Sequence, residues 1–333
     1  QLYWFAALVN GILIDGTAQN RTAKAVLTAD ITVNTGVLNA DGTLASDVSS
    51  FRSWTPIGNR SSYYKGIFNG QNHTVSGLYF NDAQTDYVAL FGYLGKGAKI
   101  SNVGVADSYF NGKNYVGGVC GYNEYGTISN CYNTGAVSGS NYVGGVCGSC
   151  YVAAISNCYN IGAVSGNNKY VGGVCGYNRS TKISNCYYDS TIYSGNAVGY
   201  NEDGTVSENV LGKTSEQFKS GEVCYLLNKG KTDGTQAWYQ DLTPETGDKS
   251  PVLKSNGSNT VYAGIPCMSQ FSNTGAVSIE HSFDEHGFCT KCGGYQPADK
   301  NSDGVYEISN AGQLYWFAAL VNGILIDGTA QNR

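Results

Sequence analysis

From Tyr115 the chain reads YVGGVCGYNEYGTISNCYNTGAVSG, from Tyr142 YVGGVCGSCYVAAISNCYNIGAVSG, and from Tyr170 YVGGVCGYNRSTKISNCYYDS, so residues 115–190 say nearly the same thing three times. The intervals between the starts are 27 residues (142 minus 115) and 28 residues (170 minus 142). Self-similarity at such a period belongs to stacked supersecondary units, not to one globular core. Within each repeat, short runs of alternating apolar and polar residues carry Val116, Val119, Ile128 and Val137, and Gly, Asn and Ser-Gly break them. That is strand and turn chemistry. No room for a ten-residue helix remains between the breaks. The repeat therefore predicts an all-β fold, a β-solenoid (β-helix) in which each 27–28-residue repeat is one coil. Each coil would add roughly 4.8 Å along the axis, the spacing of hydrogen-bonded strands.

The same residues carry a family likeness. YVGGVCGYN followed by GTISNCYNTGAVSG resembles the Glug motif of bacterial cell-surface proteins. The likeness is strong over residues 87–190; beyond it, FNGQNHTVSGLYF from Phe68 to Phe80 is similar to the segment that commonly precedes such repeats, and TSEQFKSGEVCYLLNKG from Thr214 to the one that follows. The resemblance implies adhesins and surface arrays, occasionally with attached proteases, and a location outside the cell at a bacterial surface. It implies a structural motif that carries no chemistry of its own.

Composition agrees with a layered object. In a chain of 333 residues only 14% are charged, while Gly numbers 45 and Tyr 26, which suits tight coil corners and stacked rings. A solenoid buries its core layer by layer, with no single centre. The net charge of −5 gives no basic footprint, so no nucleic acid is expected as a partner. No apolar run approaches the ~20 residues that cross a bilayer, so no membrane insertion is expected in this segment. The chain opens at Gln1 without initiator Met or signal peptide, and is expected to be a piece of something longer.

The two ends reinforce that expectation. Residues 1–21 read QLYWFAALVNGILIDGTAQNR and residues 313–333 repeat them without a change, a period of 312 residues (313 minus 1). Before the second copy, Asn310 and Gln313 have the spacing of a capping box, which predicts a helix from about Ala311. Gln1 has no such cap. The chain thus looks like a slice of a tandem array cut inside a helix, with neighbouring copies of the unit as end-to-end partners.

Taken in order, residues 1–21 form a capping helix and first strand, with Leu2, Phe5, Ala6, Leu8 and Val9 at helical spacing and a stop at Gly11. Such a helix is expected to cover the open first layer. Residues 22–86 are irregular first coils, and 87–212 the regular ones, in which Phe91 with Val103 and Val198 with Val210 stand where other coils have Cys. In 213–265, TSEQ is a capping box and FKSGEVCYLLN a helical stretch ending at Lys229-Gly230, expected to close the far end of the stack, with extended segments beside it. Residues 266–298 are a small Cys/His segment, and 299–333 a calcium-like linker and the start of the next unit.

Eleven Cys raise the question of bonds and metals. Six are regular and always eleven apart: Cys120 and Cys131, Cys147 and Cys158, Cys175 and Cys186. In the flanking coils both positions change together. A disulfide across each coil would produce that pattern, and so would a shared core environment, because a free Cys packs as a small hydrophobe. Bridges would require an oxidising exterior. Vertical bonds between stacked Cys suit disulfide geometry less well, since parallel Cβ vectors hold the atoms further apart than the usual ~3.8 Å. Cys150 has no counterpart in other repeats, and Cys224 falls on the closing helical stretch.

Near the end, HSFDEHGFCTKCGG places His281 and His286 before Cys289 and Cys292. A CxxCG turn with His281, completed by Cys267, resembles a structural zinc set; disulfides or free thiols are the alternatives. DKNSDGVYEISN supplies oxygens at Asp299, Asn301 and Asp303, a turn at Gly304 and the carbonyl of Val305, the first half of an EF-hand or dockerin-like calcium loop. Asn310 stands where a bidentate Glu belongs, so affinity should be weak or Glu307 must help; an Asp-Gly turn without an ion is the alternative. At the junction of units, a bound calcium would stiffen the linker.

Three functions fit a solenoid. The leading expectation is a structural protein whose units join into a surface fibre or stalk. The second is an adhesin, in which Tyr115, Tyr142 and Tyr170, or Tyr132, Tyr159 and Tyr187, stack on a glycan or host ligand; the alternative is that these rings stack on each other. The third, a polysaccharide-degrading enzyme, needs paired carboxylates or a base on adjacent coils. The regular coils offer only scattered Glu124, Arg179, Lys182 and Asp189, so no enzyme is expected.

Overall fold

The structure is a computed structural model that describes residues 1–167, 170–203, 207–255, 257, 259–263, 271–274, 282–290 and 294–322. Its body is a parallel β-solenoid. One regular coil consists of four short strands, Asn114–Gly117, Cys120–Glu124, Thr127–Asn133 and Ala136–Gly139, and each pairs with its own counterpart in the coils above and below. The register joins like to like: Val116, Val143 and Val171; Cys120, Cys147 and Cys175; Ile128, Ile155 and Ile183. Val119, Val146 and Val174 also form one vertical file, linked by N–H···O bonds of 3.0 Å and 3.0 Å, and all three are fully buried. The Cys120-type strand recurs five times among the described residues, from Phe91–Leu94 to Val198–Asn201, giving about five turns. Phe91 lies opposite Cys120, Val103 opposite Cys131, Val198 opposite Cys175 and Val210 opposite Cys186, as the aligned turns predict.

Two residue types explain why the motif is so invariant. Asn102, Asn130, Asn157 and Asn185 all take the left-handed conformation, with φ between 50° and 54°, which Asn tolerates better than other side chains. Their amides then donate from coil to coil, Asn130 to Asn102 at 2.9 Å, Asn157 to Asn130 at 3.2 Å and Asn185 to Asn157 at 2.8 Å. Gly145 is fixed by space: a Cβ there would stand 2.2 Å from the side chain of Asn160.

The near end is closed by helix α1 (Leu2–Asn10), which stops at Gly11 with φ 71°. Leu2, Ala6 and Val9 join the solenoid core with Trp54, Tyr64 and Phe68, and Asn10 clamps the helix by donating to the Pro56 carbonyl at 3.0 Å and accepting from Gly58 N–H at 2.9 Å. Residues 53–64 bridge to the coil that follows at Ser53–Tyr79, Ile57–Phe91 and Tyr64–Leu94.

After the last coil strand, Glu208–Lys213, the capping box forms as expected: Gln217 N–H donates to Thr214 Oγ1 at 3.2 Å and Thr214 N–H to Gln217 Oε1 at 2.9 Å. The helical stretch is two helices, α2 (Ser215–Lys219) and α3 (Glu222–Leu227), broken at Gly221 with φ 90°. They do not close the end of the stack. They fold back along its flank, where Phe218, Val223, Leu227, Trp238, Leu253 and Val261 form one cluster with Tyr159 and Tyr187 of the coils. The outward rings of Tyr132, Tyr159 and Tyr187 run up that face in register and are what the helices cover, while Glu208, Asn209 and Leu211 of the last coil stay exposed. The segment reaches back to the first coils, where Lys254 Nζ donates to Asp30 Oδ2 at 2.6 Å.

Helix α4 (Ala311–Asn322) starts where the sequence predicts. It packs on a short antiparallel hairpin, Asp299–Lys300 with Tyr306–Glu307, in a cluster separate from the solenoid core.

Candidate interaction surface and unit junction

Two tyrosine files run along the solenoid. Tyr87, Tyr115, Tyr142 and Tyr170 stack with centroids 4.9, 4.8 and 4.8 Å apart and planes within 12°. All four are half-buried. The rings of Tyr122 and Tyr177 meet this file edge-on at 5.3 Å and 5.5 Å, and Ser149 takes the place of a ring between them. Burial pushes the phenols of Tyr87 and Tyr115 up, and Arg60 and Asp86 stand near this aromatic face. Tyr132 and Tyr159 of the second file also stack, at 5.2 Å, but Trp238 lies 6.1 and 5.3 Å from them and Phe218 5.6 Å from Tyr159. Tyr159 and Tyr187 are buried, and burial pushes the Tyr187 phenol up to about 12. In the covered file Tyr159 and Tyr187 are closed to a ligand and Tyr132 reaches only the edge of a cleft, whereas the rings of the first file lie along an open face.

The six repeat cysteines form two vertical files inside the coil, and their thiols are free, as are those of Cys150 and Cys224. In-coil disulfides are not formed. The two members of each expected pair sit on different sheets of the coil, and their thiols turn to their own strands: Cys131 Sγ donates to the Ser129 carbonyl at 3.2 Å, Cys158 to Ser156 at 3.1 Å and Cys186 to Ser184 at 3.2 Å. Cys150 takes the register position of Asn123 and Asn178 and enters the other file, donating to Cys147 Sγ at 3.2 Å and accepting from Cys175 Sγ at 3.6 Å. Burial pushes the Cys120, Cys150 and Cys158 thiols up. Burial opposes charge on Cys147 too, but thiols donated by Cys120 and Cys150 hold it below its ordinary value. Cys224, on α3, is buried and raised by burial.

One polar cluster escapes sequence reasoning. Asp30 accepts from Lys254, from Thr74 N–H at 2.8 Å, and contacts His73 Nδ1 at 3.2 Å, at the edge of a cleft of about 430 Å³ between the flank and the first coils. Partial burial works to raise the Asp30 carboxyl, yet these donors together hold it below the usual range. Thr74 and His73 hold Asp30 within the first coils, and Asp30 in turn pins Lys254 and the flanking segment to them. Asp30 and Lys254 are 224 residues apart, so periodicity gives no sign of the contact; the Asn files, by contrast, could be found from the recurrent ISNC.

At the junction, the six residues of the calcium-like loop lie in and after the hairpin. Asn301 Oδ1 accepts from the N–H groups of Asp303 and Val305 at 3.1 and 3.0 Å, and its Nδ2 donates to Glu307 Oε1 at 3.3 Å. The Val305 carbonyl accepts from Asn301 N–H at 2.9 Å, and Asn310 Oδ1 caps α4 by accepting from Gln313 N–H at 2.9 Å. As folded, the side chains of Asp299, Asp303 and Glu307 remain exposed, whereas the oxygens of Asn301, Val305 and Asn310 already have donors. An ion would have to draw these from their present partners. Among the described residues no three His, Cys, Asp or Glu side chains form a metal cluster. Of the zinc set, Cys289 is buried, while Cys267, His281 and Cys292 lie outside the described residues. His286 is exposed, and its carbonyl accepts from Gly312 N–H at 2.8 Å.

Comparison with known proteins bears on the coils. Residues 112–138 match the family described as the GLUG motif. The chain is 30% identical over 80 residues to a protein of Evansella cellulosilytica provisionally named a Gly-rich membrane protein, covering 23% of this chain and 9% of that one. It is 31% identical over 128 residues to Halomucin of Haloquadratum walsbyi, 38% of this chain and 1% of that protein. The chain thus spans less than a tenth of the length of these curated relatives. A crystal structure from Bacteroides ovatus, provisionally described as an immunoglobulin A1 protease, matches with a TM-score of 0.44 at 16% identity, over 70% of this chain and 86% of that one. The GLUG match lies on the strands that form one coil, so the chain is a GLUG-containing repeat protein with a β-solenoid fold.

Proposed function

We propose that this chain contains one 312-residue unit of an extracellular repeat protein at a bacterial surface, whose units join end to end into a fibre or stalk. The observation that carries this reading is the return, 312 residues on, of the helix that covers the first coil. The partner is then a further copy of the unit. The names of the two relatives, a membrane protein and a halomucin, support a place at the cell surface. The role is structural, not enzymatic. Charged groups of the coils are spent on the fold: Tyr93 OH donates to Glu124 at 2.8 Å, Arg179 Nε pairs with Glu202 at 3.3 Å, and Asp189 accepts from Thr191 N–H at 2.9 Å.

Imaging the native assembly tests the reading. A regular axial repeat of one unit supports it, and isolated monomers on cells would overturn it. The second reading, a carbohydrate- or host-binding adhesin, rests on the open tyrosine file; binding to a glycan array that Tyr142→Ala abolishes would favour it. At the junction we propose that calcium, held by Asp299, Asp303 and Glu307 with Asn301, Val305 and Asn310 recruited from their present bonds, stiffens the linker. A thermal transition unmoved by millimolar calcium would remove the ion from the account. Zinc at His281, Cys267, Cys289 and Cys292 is the companion proposal, and metal analysis of the purified chain decides it.

A further inference from the structure

Helices α1 and α4 share the sequence LYWFAALVN, and Leu8 and its counterpart Leu320 are buried in both, yet the rest of the helix buries a different side in each copy. In α1, Leu2 is 6% exposed and Val9 fully buried; in α4 their counterparts Leu314 and Val321 are 56% and 64% exposed. The tryptophan behaves in reverse, with Trp4 49% exposed and Trp316 only 8%. At 3.6 residues per turn, about 100° each, positions 2, 6 and 9 fall within about 60° of one another, and position 4 lies almost opposite. One side of the helix therefore meets the solenoid, where Phe5 packs on Tyr64 at 5.9 Å and Phe68 at 6.0 Å. The other meets the hairpin, where Trp316 packs on Tyr306 at 5.7 Å beside Ala298.

From Leu2 to Val9 the sequence is eight apolar residues in a row. A helix apolar on all sides is a buried helix. Neither copy is buried all round, and each lacks the neighbour that the other has. We propose that this helix is a two-sided joint. Its tryptophan side takes the 298–307 hairpin of the preceding copy, and its Leu–Ala–Val side takes the first coils of the following copy, so that one helix is clamped between two units. The exposed Trp4 of α1 then marks the docking site for the hairpin of a second copy, and the exposed Leu314, Ala318 and Val321 of α4 the site for a second copy's coils around Trp54, Tyr64 and Phe68. Asn322, exposed here, would repeat the clamp that Asn10 makes to Pro56 and Gly58.

The inference rests on the tandem reading and adds rigidity to it. The test is a two-unit protein, residues 1–333 continued by residues 22–333, compared with the 333-residue chain by amide hydrogen exchange and small-angle X-ray scattering. Exchange across residues 314–321 should slow at least tenfold in the two-unit protein, and scattering should give one rod of fixed length. Trp316→Ala and Val321→Ser, each placed in that shared helix, should restore fast exchange there and broaden the scattering distribution, while the amides of residues 115–190 keep their protection in both. Equal exchange of 314–321 in the one-unit and two-unit proteins overturns the joint, as does a flexible two-bead scattering profile from intact units. Either result leaves the stalk standing as a string of beads. Failure of the stalk itself would show separately, as native particles without an axial repeat.

Discussion

The two tyrosine files carry the same message in sequence and meet different fates in the fold. Tyr115, Tyr142 and Tyr170 recur at the coil period, and so do Tyr132, Tyr159 and Tyr187. The first file is half open, whereas the second is roofed by Phe218 and Trp238. Repetition decides that rings will stack, because each residue's nearest neighbour is its own copy one layer away. It does not decide which stack becomes surface. That is settled by a segment that does not repeat, in which Phe218, Trp238, Leu253 and Val261 fold back onto Tyr159 and Tyr187.

Substitutions under the roof should have the largest effect on stability. Trp238→Ala removes the ring that faces both Tyr132 and Tyr159, and should cost about 3–5 kcal/mol in urea unfolding, as other buried Trp truncations do. It should also make Tyr159 reactive to tyrosine nitration; an unreactive Tyr159 would mean that something else covers it. In the open file, Tyr142→Ala deletes two stacked contacts and one edge contact, and about 1.5 kcal/mol is expected from pairs of this kind. A loss as large as that of Trp238→Ala would erase the distinction between the files.

The thiol files inside the coil extend the comparison to a fully buried stack. Cys147→Val should cost less than about 1.5 kcal/mol, because an apolar side chain of similar size replaces a packed thiol. Alkylation after denaturation without reductant should label the six repeat cysteines together with Cys150 and Cys224. Loss of a native disulfide would instead cost about 2–5 kcal/mol and leave pairs unlabelled.

The smallest effect belongs to the clamp that ties the roof to the first coil. Lys254→Ala should cost at most about 1 kcal/mol, since both partners are partly exposed. Its pH dependence has a definite sign. The Asp30 carboxyl is held below its unfolded value, so its contribution is complete above the unfolded value near about 4 and is lost as pH falls through the lower folded value. Acid titration of stability should therefore show a smaller loss below about pH 4 in the Lys254→Ala protein than in the parent chain.

The coils were legible because layer-to-layer contact is a copying rule. Aligned turns placed Phe91 and Val198 on the Cys120 file and Val103 and Val210 on the Cys131 file, and the register has them there. The helix over the first coil was legible for a related reason, since its apolar spacing and Gly11 stop are local signals. The thiols were not. Two positions that change together can be bonded or can share one interior, and spacing cannot separate these; the separate sheets of the coil do. Nor was the path of residues 214–263, where the capping box at Thr214 was readable but the Gly221 break and the long return to Asp30 depend on contacts between positions far apart in the chain.

The parallel pairing of each coil strand with its copy has a mechanical consequence. The hydrogen bonds between layers point along the axis, so tension on a chain end falls first on the bonds at the edge of the outermost layer and opens that layer before the next. Once a layer does yield, its 27 residues can extend to roughly 90 Å, against the ~4.8 Å they occupied when folded. Each rung is thus a small reserve of length, released only above a threshold force.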